Sequence, residues 1–590
     1  MSVPTQAEDR RIDLGQGYVL LPPDREAAEA LASALGVAPA VAQVLLRRGF
    51  REEESARRFL DPRLSELTPP TSMVDRDKAC GRLADAVRAR ERVVVYGDYD
   101  VDGTTSTAVL SGILGELGGD VRALVGNRFD GGYGLSDRAL DRIMEERPAV
   151  LVTCDCGSSD HPRVARARDA GIDVIVVDHH LVPEEPLPAF AFLNPHRPDC
   201  AFPFKGLCSA GLALSVGAGV RAALGSAIDI RSYLDLVALG TIADIAPLRG
   251  DNRALVRAGL AVLGADRARP GVRALREAAK LRGASQLSAI DVAFRLTPRL
   301  NAPGRLGDPT LTLRLLLEPD LPRARLLAAE VERINSERRA LEQRVTTGAT
   351  QQIEELSSVP AGLVAASRDF HRGVVGITAA RLVDRFHRPA LVVAIEGDVA
   401  HGSGRAPDGF PLHAALLRAR DMLEKFGGHD AAVGFSLRAE NIPQLREAFG
   451  AACADLATAS SGPPMCEVDL HLGGEGYALP RASELHRLEP FGESNPDPLC
   501  LIDAEVLRVS VVGEGHLKLA LRIGERELSA FGYQLGKYAP LLGSRVRLVG
   551  NLRPDAYRGG EHVELKLQEI LGVQLSESRV DDQQTHGGAA

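Results

Sequence analysis

Between residues 75 and 250 short β-branched runs alternate with stretches of helical character, and this alternation restricts the fold more than any other feature of the chain. Residues 77–90 read as helix, 93–95 as strand, 105–117 as helix and 121–125 as strand. The series continues with 137–146 (helix), 150–152 (strand), 162–170 (helix) and 174–177 (strand). Uninterrupted apolar runs of this length belong to strands covered on both faces, so the pattern predicts a parallel sheet between helical layers. In such sheets ligands collect beyond the carboxyl ends of the strands.

Reactive side chains stand at those ends. The first run leads into Tyr96-Gly-Asp-Tyr-Asp-Val-Asp-Gly103, with aspartates at 98, 100 and 102. Alternating aspartates also build EF-hand loops, but those need a preceding helix and a Glu at the twelfth loop position. Here a strand precedes, and the twelfth position counted from Asp98 is Val109. The third run ends at Asp155 in Thr153-Cys-Asp-Cys-Gly157, the fourth at Asp178-His179-His180, and a further apolar element, 234–244, at Asp244. A single Asp after a strand is more often a cap or turn residue. Recurrence at the strand ends of one sheet instead points to a shared crevice. Carboxylates gathered there repel one another unless divalent cations intervene. A mixed carboxylate and imidazole set suits Mn²⁺, and a largely carboxylate set also suits Mg²⁺.

At 590 residues the chain exceeds the ~250–300 that one core usually holds. The pattern divides it into an N-terminal helical cap (1–74), a first α/β lobe (75–319), a long connecting helix (320–357), a second α/β lobe (358–460), a strand-rich barrel of the oligonucleotide-binding type (465–575) and a polar tail (576–590) expected to be disordered. The fold class is therefore α/β, two lobes joined by a helix, plus a C-terminal β-barrel. A net charge of −9 counts against a protein that merely coats nucleic acid, and 4% aromatics without Trp counts against extensive base stacking. The N-terminus carries no apolar signal core, and no run approaches the ~18 apolar residues of a membrane span. Eight cysteines without a C-x-x-C pair read as reduced thiols and hence a cytoplasmic protein.

With these motifs in view, the chain resembles the DHH phosphoesterases and, within them, the RecJ exonucleases. The matching segments are Gly97–Gly103, Asn127-Arg-Phe-Asp-Gly-Gly-Tyr-Gly-Leu135, Asp178-His179-His180, Leu234-Asp-Leu-Val-Ala-Leu-Gly-Thr-Ile-Ala-Asp244 and Pro298-Arg-Leu-Asn-Ala-Pro-Gly-Arg-Leu306. Gly373-Val-Val-Gly-Ile377 and Gly427-Gly-His429 resemble the DHH-associated domain, and Pro490-Phe-Gly-Glu-Ser-Asn-Pro496 resembles the lead-in to the RecJ barrel. The resemblance runs from about 35 to 575.

It implies a metal held by Asp102, Asp155, His179 and Asp244, and a second held by Asp100 with Asp155 as bridge. The family often has His where this chain has Tyr96, which makes the second site weaker, water-completed or dependent on substrate. Asp98 assists the second site or serves as a hydrogen-bonding residue, His180 faces the scissile phosphate, and Asp178 orients an imidazole from behind. Arg299, Asn301 and Arg305 in one polar loop, and Ser403 and Arg405 in another, read as phosphate-holding segments, and His429 as a cap over the site. Arg545, Arg547, Arg553, Tyr557 and Arg558 of the barrel are candidates for tracking a single strand. The implied activity is 5′-to-3′ hydrolysis of single-stranded DNA to mononucleotides in recombination and repair. The enzyme would act as a monomer alongside single-strand-binding protein and a helicase. Removing the chain from about 465 onward is expected to weaken strand binding more than chemistry on short substrates.

Two other readings compete with this one. A phosphoesterase of the same superfamily acting on pyrophosphate, cyclic dinucleotides or very short oligonucleotides has no use for the cap, connecting helix and barrel. A non-catalytic scaffold, like the inactivated DHH-type component of the eukaryotic replicative helicase, would have lost its metal residues, whereas Asp100, Asp102, Asp155, His179, His180 and Asp244 all stand.

Overall fold

Val93 and Val95 enter one hydrophobic core while Val94 and Tyr96 enter another, so the strand Arg92–Gly97 is covered on both faces. It belongs to a five-stranded, wholly parallel sheet in the order Asp120–Val125, Arg92–Gly97, Val150–Cys154, Asp173–Val177, Ala191–Leu193. The order reverses between Arg92–Gly97 and its neighbour Val150–Cys154, and such a switch point opens a crevice at the strands' carboxyl ends. The computed structural model describes residues 11–281, 287–457, 465–555 and 559–573. The tail expected at 576–590, and Tyr557 and Arg558, lie outside them.

The 234–244 element differs from expectation. It is a helix, Leu234–Ala243, with Asp244 as its C-cap residue. Every residue from Leu234 to Ile242 is buried, so the helix has no exposed face and carries no 3.6-residue periodicity to separate it from a strand.

The long helix Leu321–Glu354 ties the lobes together. Ala324, Ala328 and Val331 complete the core of the first lobe, and Val345, Ala349 and Ile353 that of the second. The second lobe is a mixed five-stranded sheet in the order Leu423–His429, Ala432–Arg438, Val399–Arg405, Ala390–Glu396, Leu363–Ser367, parallel only between the last two.

At the C-terminal end, Leu499–Val512 pairs with both His516–Ile523 and Arg545–Pro554 and so closes a barrel completed by Arg526–Gly532 and Val563–Val573. This barrel shares its core with the N-terminal helices. Leu31, Val41, Leu45 and Leu60 pack among Leu472, Leu488, Leu519, Leu548 and Leu565. Cutting at 465 would therefore expose the apolar faces of Arg25–Leu35 and Pro39–Arg47 as well, which makes the expected truncation a test of folding rather than of strand binding. The N-terminal segment is also not purely helical. Ile12–Gly15 and Tyr18–Leu20 form a hairpin extended by Cys466–Val468, strands too short for alternation to show in the sequence. Among the described residues no single helix is long and apolar enough to cross a membrane. The cysteines are free, and all but Cys466 are buried.

Candidate metal centre

Three aspartates are fixed in place by the sheet itself. Each donates its backbone N–H to the last residue of the neighbouring strand: Asp98 to Cys154 O (3.2 Å), Asp155 to Val177 O (3.0 Å) and Asp178 to Leu193 O (3.0 Å). The ladder thus runs one residue past the strands, and the side chains of Asp98, Asp155 and Asp178 are buried at its edge. After Asp98 the chain turns into helix Val101–Glu116, and the turn is tight. A Cβ on Gly97 would lie 2.3 Å from Gly103 O, and one on Gly103 2.5 Å from Asp98 O, so neither position accepts a side chain.

Asp100 caps that helix by accepting the Gly103 N–H at 3.0 Å. Asp102, in its first turn, accepts the backbone N–H groups of Ser209 (2.7 Å) and Ala210 (3.0 Å). Those donors start helix Ser209–Ala223, whose N-terminal partial charge favours a carboxylate. Ser209 Oγ donates to Asp155 Oδ1 at 3.1 Å. His179 Nε2 lies 3.2 Å from Asp155 Oδ1, 3.7 Å from Asp244 Oδ2 and 3.8 Å from Asp102 Oδ2. Ligand-type atoms converge in three overlapping groups: Asp102, His179 and Asp244; Asp98, Asp100 and Asp155; Asp155, His179 and His180.

Burial, reinforced by the neighbouring carboxylates, holds Asp98 and Asp155 well above the usual carboxylate range. Burial also raises Asp102 and pushes Asp244 up to about 8. One oxygen of Asp98 is buried without a hydrogen-bond partner. Raised carboxylates and an unsatisfied oxygen, with imidazole nitrogens in two of the three groups, form a donor set that fits divalent cations, because Arg128 and His180 offset only part of its charge.

The adjacent histidines are driven in opposite directions. Burial lowers His179, which favours the neutral, ligating ring. Burial opposes charge on His180 too, but its Nδ1 lies 2.8 Å from Asp178 Oδ1 and that carboxylate raises it to about 9. For Asp178, the hydrogen bonds from His180 and Ser158 outweigh burial and hold it below the usual carboxylate range. Tyr133 steadies the pair, with its hydroxyl 2.8 Å from both Asp155 O and His180 Nδ1. Tyr96 stands apart from the three groups; its buried hydroxyl donates to Gly134 O at 3.1 Å.

The expected phosphate loops are regular structure. Arg299, Asn301 and Arg305 lie on helix Thr297–Leu306, and Ser403 and Arg405 on strand Val399–Arg405. Pro298, Pro303 and Gly304 gave that helix the composition of a turn, and Gly402 and Gly404 did the same for the strand. Glycine is needed at 402, where a Cβ would lie 2.1 Å from the Phe435 ring. Arg299 pairs with Glu332 of the long helix at 2.5 Å. Among the described residues Arg305 has no such partner: its guanidinium reaches Gly373 O at 3.4 Å, and burial together with the charge of Arg128 lowers it to about 10. Arg405, lowered by burial, also stands near it and contacts Ser403 Oγ at 3.3 Å. His429 is exposed at the end of strand Leu423–His429 and accepts the Ala431 N–H at 3.3 Å. In the barrel, Arg547 is spent on Asp503 and Arg553 on Glu564.

Sequence reasoning passed over Arg128, Tyr133 and Ser209. The first two lie in the Asn127–Leu135 segment, whose composition marked it without showing which side chains turn inward. Ser209 gave no signal at all. The lobes meet beside Arg128, where Arg372 lies 4.3 Å from the Phe129 ring centroid.

Three family profiles match: the DHH family N-terminal domain over residues 92–241, the DHHA1 domain over 360–455 and the RecJ OB domain over 468–569. The single-stranded-DNA-specific exonuclease RecJ of Bacillus subtilis is 35% identical over 557 residues, 93% of this chain and 70% of that protein. The crystal structure of RecJ in complex with Mn²⁺ from Thermus thermophilus superposes with a TM-score of 0.77 at 32% identity, over 93% of this chain and 78% of the other. The Mg²⁺ complex from the same organism gives 0.71 at 30% identity, over 93% and 77%. Matched in all three parts and along nearly its whole length, the chain belongs to the RecJ family of single-stranded-DNA-specific exonucleases.

Proposed function

We propose that this protein hydrolyses single-stranded DNA from the 5′ end to 5′-mononucleotides with the help of one or two Mn²⁺ or Mg²⁺ ions. The observation that carries the reading is the convergence of Asp98, Asp100, Asp102, Asp155, His179, His180 and Asp244 at the switch point of the first sheet. Asp102, Asp155, His179 and Asp244 hold one ion, and Asp100 and Asp155, with Asp98 beside them, a second. A divalent cation bound there neutralises phosphate charge and acidifies the attacking water. His180, kept positive by Asp178, hydrogen-bonds the phosphate that is cleaved, and Tyr133 holds its ring in place. Arg128, Arg305, Ser403 and Arg405 receive the terminal phosphate where the lobes meet, supported by three arginines gathered without an ion-pair partner on Arg305. Arg299, tied to Glu332, sets the helix that presents Asn301 and Arg305, and His429 closes over the strand from the second lobe.

In this reading 75–319 carries the chemistry, 358–460 holds the strand's end and 465–575 holds the strand beyond it. The enzyme works as a cytoplasmic monomer in recombination and repair, beside single-strand-binding protein and a helicase. A time course on a long single strand labelled at each end in turn, with Mn²⁺, Mg²⁺ or chelator, tests it. The 5′ label should leave first, as a mononucleotide and only with a divalent cation. Early loss of the 3′ label, or cleavage in chelator, defeats the reading.

A further inference from the structure

Ile245 follows Asp244 directly and has a φ of 57°. That left-handed region is one a β-branched side chain almost never enters. The position is the one after the C-cap of helix Leu234–Ala243. The Ile245 N–H donates to Ile242 O at 3.2 Å and the Ala246 N–H to Thr241 O at 3.1 Å, the paired bonds of a Schellman ending. Glycine usually stands there because it adopts the conformation without strain. Burying an isoleucine would offset the strain, yet Ile245 is 69% exposed. Neither local conformation nor packing accounts for this residue, and backbone strain of this kind gathers where a site requires it.

A second aliphatic side chain stands in the same neighbourhood. Leu181 follows His180 and is 84% exposed. The histidine pair that precedes Leu181 and the aspartate that precedes Ile245 converge, with His179 Nε2 3.7 Å from Asp244 Oδ2. Two exposed aliphatic side chains thus directly follow residues of the cluster, whose own members are carboxylates and imidazoles, with the Tyr133 ring packed against His180. A phosphodiester strand brings two chemistries to this place. Its phosphates match His180 and the cations that the cluster would hold, while its bases offer flat apolar faces that carboxylates do not engage.

We infer that Ile245, together with Leu181, is a specificity-determining contact that grips the face of a nucleobase adjoining the scissile phosphate. The inference rests on the reading of the site given under Proposed function. Every base has such a face, so the contact is indifferent to sequence but selective against a strand lacking the base. The left-handed turn directs the side chain out of the fold and toward the strand.

The test uses the full chain with Mn²⁺ and compares an intact single strand with strands abasic at the first or second nucleotide. Ile245→Gly and Ile245→Asn both tolerate the left-handed backbone, so each should keep its melting temperature at or above that of the wild type. Each should raise KM for the intact strand roughly tenfold, the scale of losing one buried aliphatic contact, with kcat changing far less. In both variants the preference for the intact over one of the abasic strands should shrink by a similar factor, and Ile245→Val should restore it. Unchanged KM and preference in the glycine and asparagine variants, beside an active wild type, would overturn the inference alone. Equal losses on intact and abasic strands would overturn it as well, because the residue would then serve the fold. A wild type that cleaves no strand removes the parent reading and this inference with it.

Discussion

Two regions of this molecule bury charge, and they handle it in opposite ways. At the switch point, the carboxylates of Asp98, Asp102 and Asp155 are buried beside one another, with only a few N–H and O–H donors and two imidazoles to answer them. At the junction between the catalytic lobe and the barrel Arg253 is only 1% exposed, and among the described residues it makes no ion pair. Its guanidinium instead donates to Phe59 O (2.7 Å), Leu488 O (3.0 Å) and Glu489 O (2.7 Å), and its plane lies 3.7 Å from the Phe59 ring centroid. Those carbonyls end the helices Glu53–Leu60 and Ala482–Leu488, where backbone dipoles present their negative ends. The node is satisfied from within and rivets three segments together. The acidic cluster is unsatisfied from within and requires cations from solution. Buried charge met by dipoles serves structure, and buried like charge held open serves binding.

The most severe way to break this contrast is Asp155→Ala. Cleavage should fall on the order of 10⁴-fold, as when a group that acts as part of a unit is removed. Gel filtration and circular dichroism should match the wild type. Turnover at the wild-type rate would show that Asp155 is not shared between ions.

Next in size is Arg253→Met, which keeps volume but strands the carbonyls. Urea unfolding should show a loss of about 3 kcal/mol or more, since several buried acceptors lose their donor. A loss under about 1 kcal/mol, the range of ordinary substitutions, would mean the node is not the rivet described.

Cation binding sharpens the comparison from the other side. Mn²⁺ at roughly 100 times its Kd should stabilise the wild type by about 2.7 kcal/mol, read as a rise in melting temperature. Asp155→Ala should respond far less. Equal responses would place the ions elsewhere.

The smallest effect expected is a pH slope in chelator-treated protein. Asp98, Asp102, Asp155 and Asp244 are raised on folding, mainly by burial, and His180 is raised by Asp178. A group raised on folding contributes stability that is complete below its unfolded pKa and lost as pH passes its folded value. Asp244 sits at about 8 and His180 at about 9, so the metal-free melting temperature should fall between pH 6 and 9. Asp178 and His179 are lowered on folding and act in the opposite sense, the first only as pH falls below the usual carboxylate range and the second only below the ordinary imidazole range. Saturating Mg²⁺ should flatten the slope, because the cation takes over the proton's role. Calorimetry at three pH values decides it, and a rise with pH would contradict the burden assigned to the cluster.

The runs ending at Asp98, Asp155 and Asp178 announced themselves because a strand buried on both faces has no polar alternation, and the break to acidic residues marks where it leaves the core. Asp244 stood out as a residue, but its element did not: an all-buried helix and a buried strand look alike when neither has a polar face. Arg299 and Arg305 share one short segment, yet the first is held by Glu332 and the second is not, and nothing local separates them.

Local sequence determined four of the five strands of the first sheet and which side chains carry chemistry, because periodicity, glycine positions and capping act over a few neighbouring residues. It also sufficed for the family, since the motifs stand in order along the chain. Only tertiary structure decided that Ser209 supports Asp155, that Tyr133 steadies His180, and that the first helices belong to the core of the last barrel. Those contacts join residues from tens to hundreds of positions apart, and their energy depends on burial and distance, quantities that no local pattern encodes.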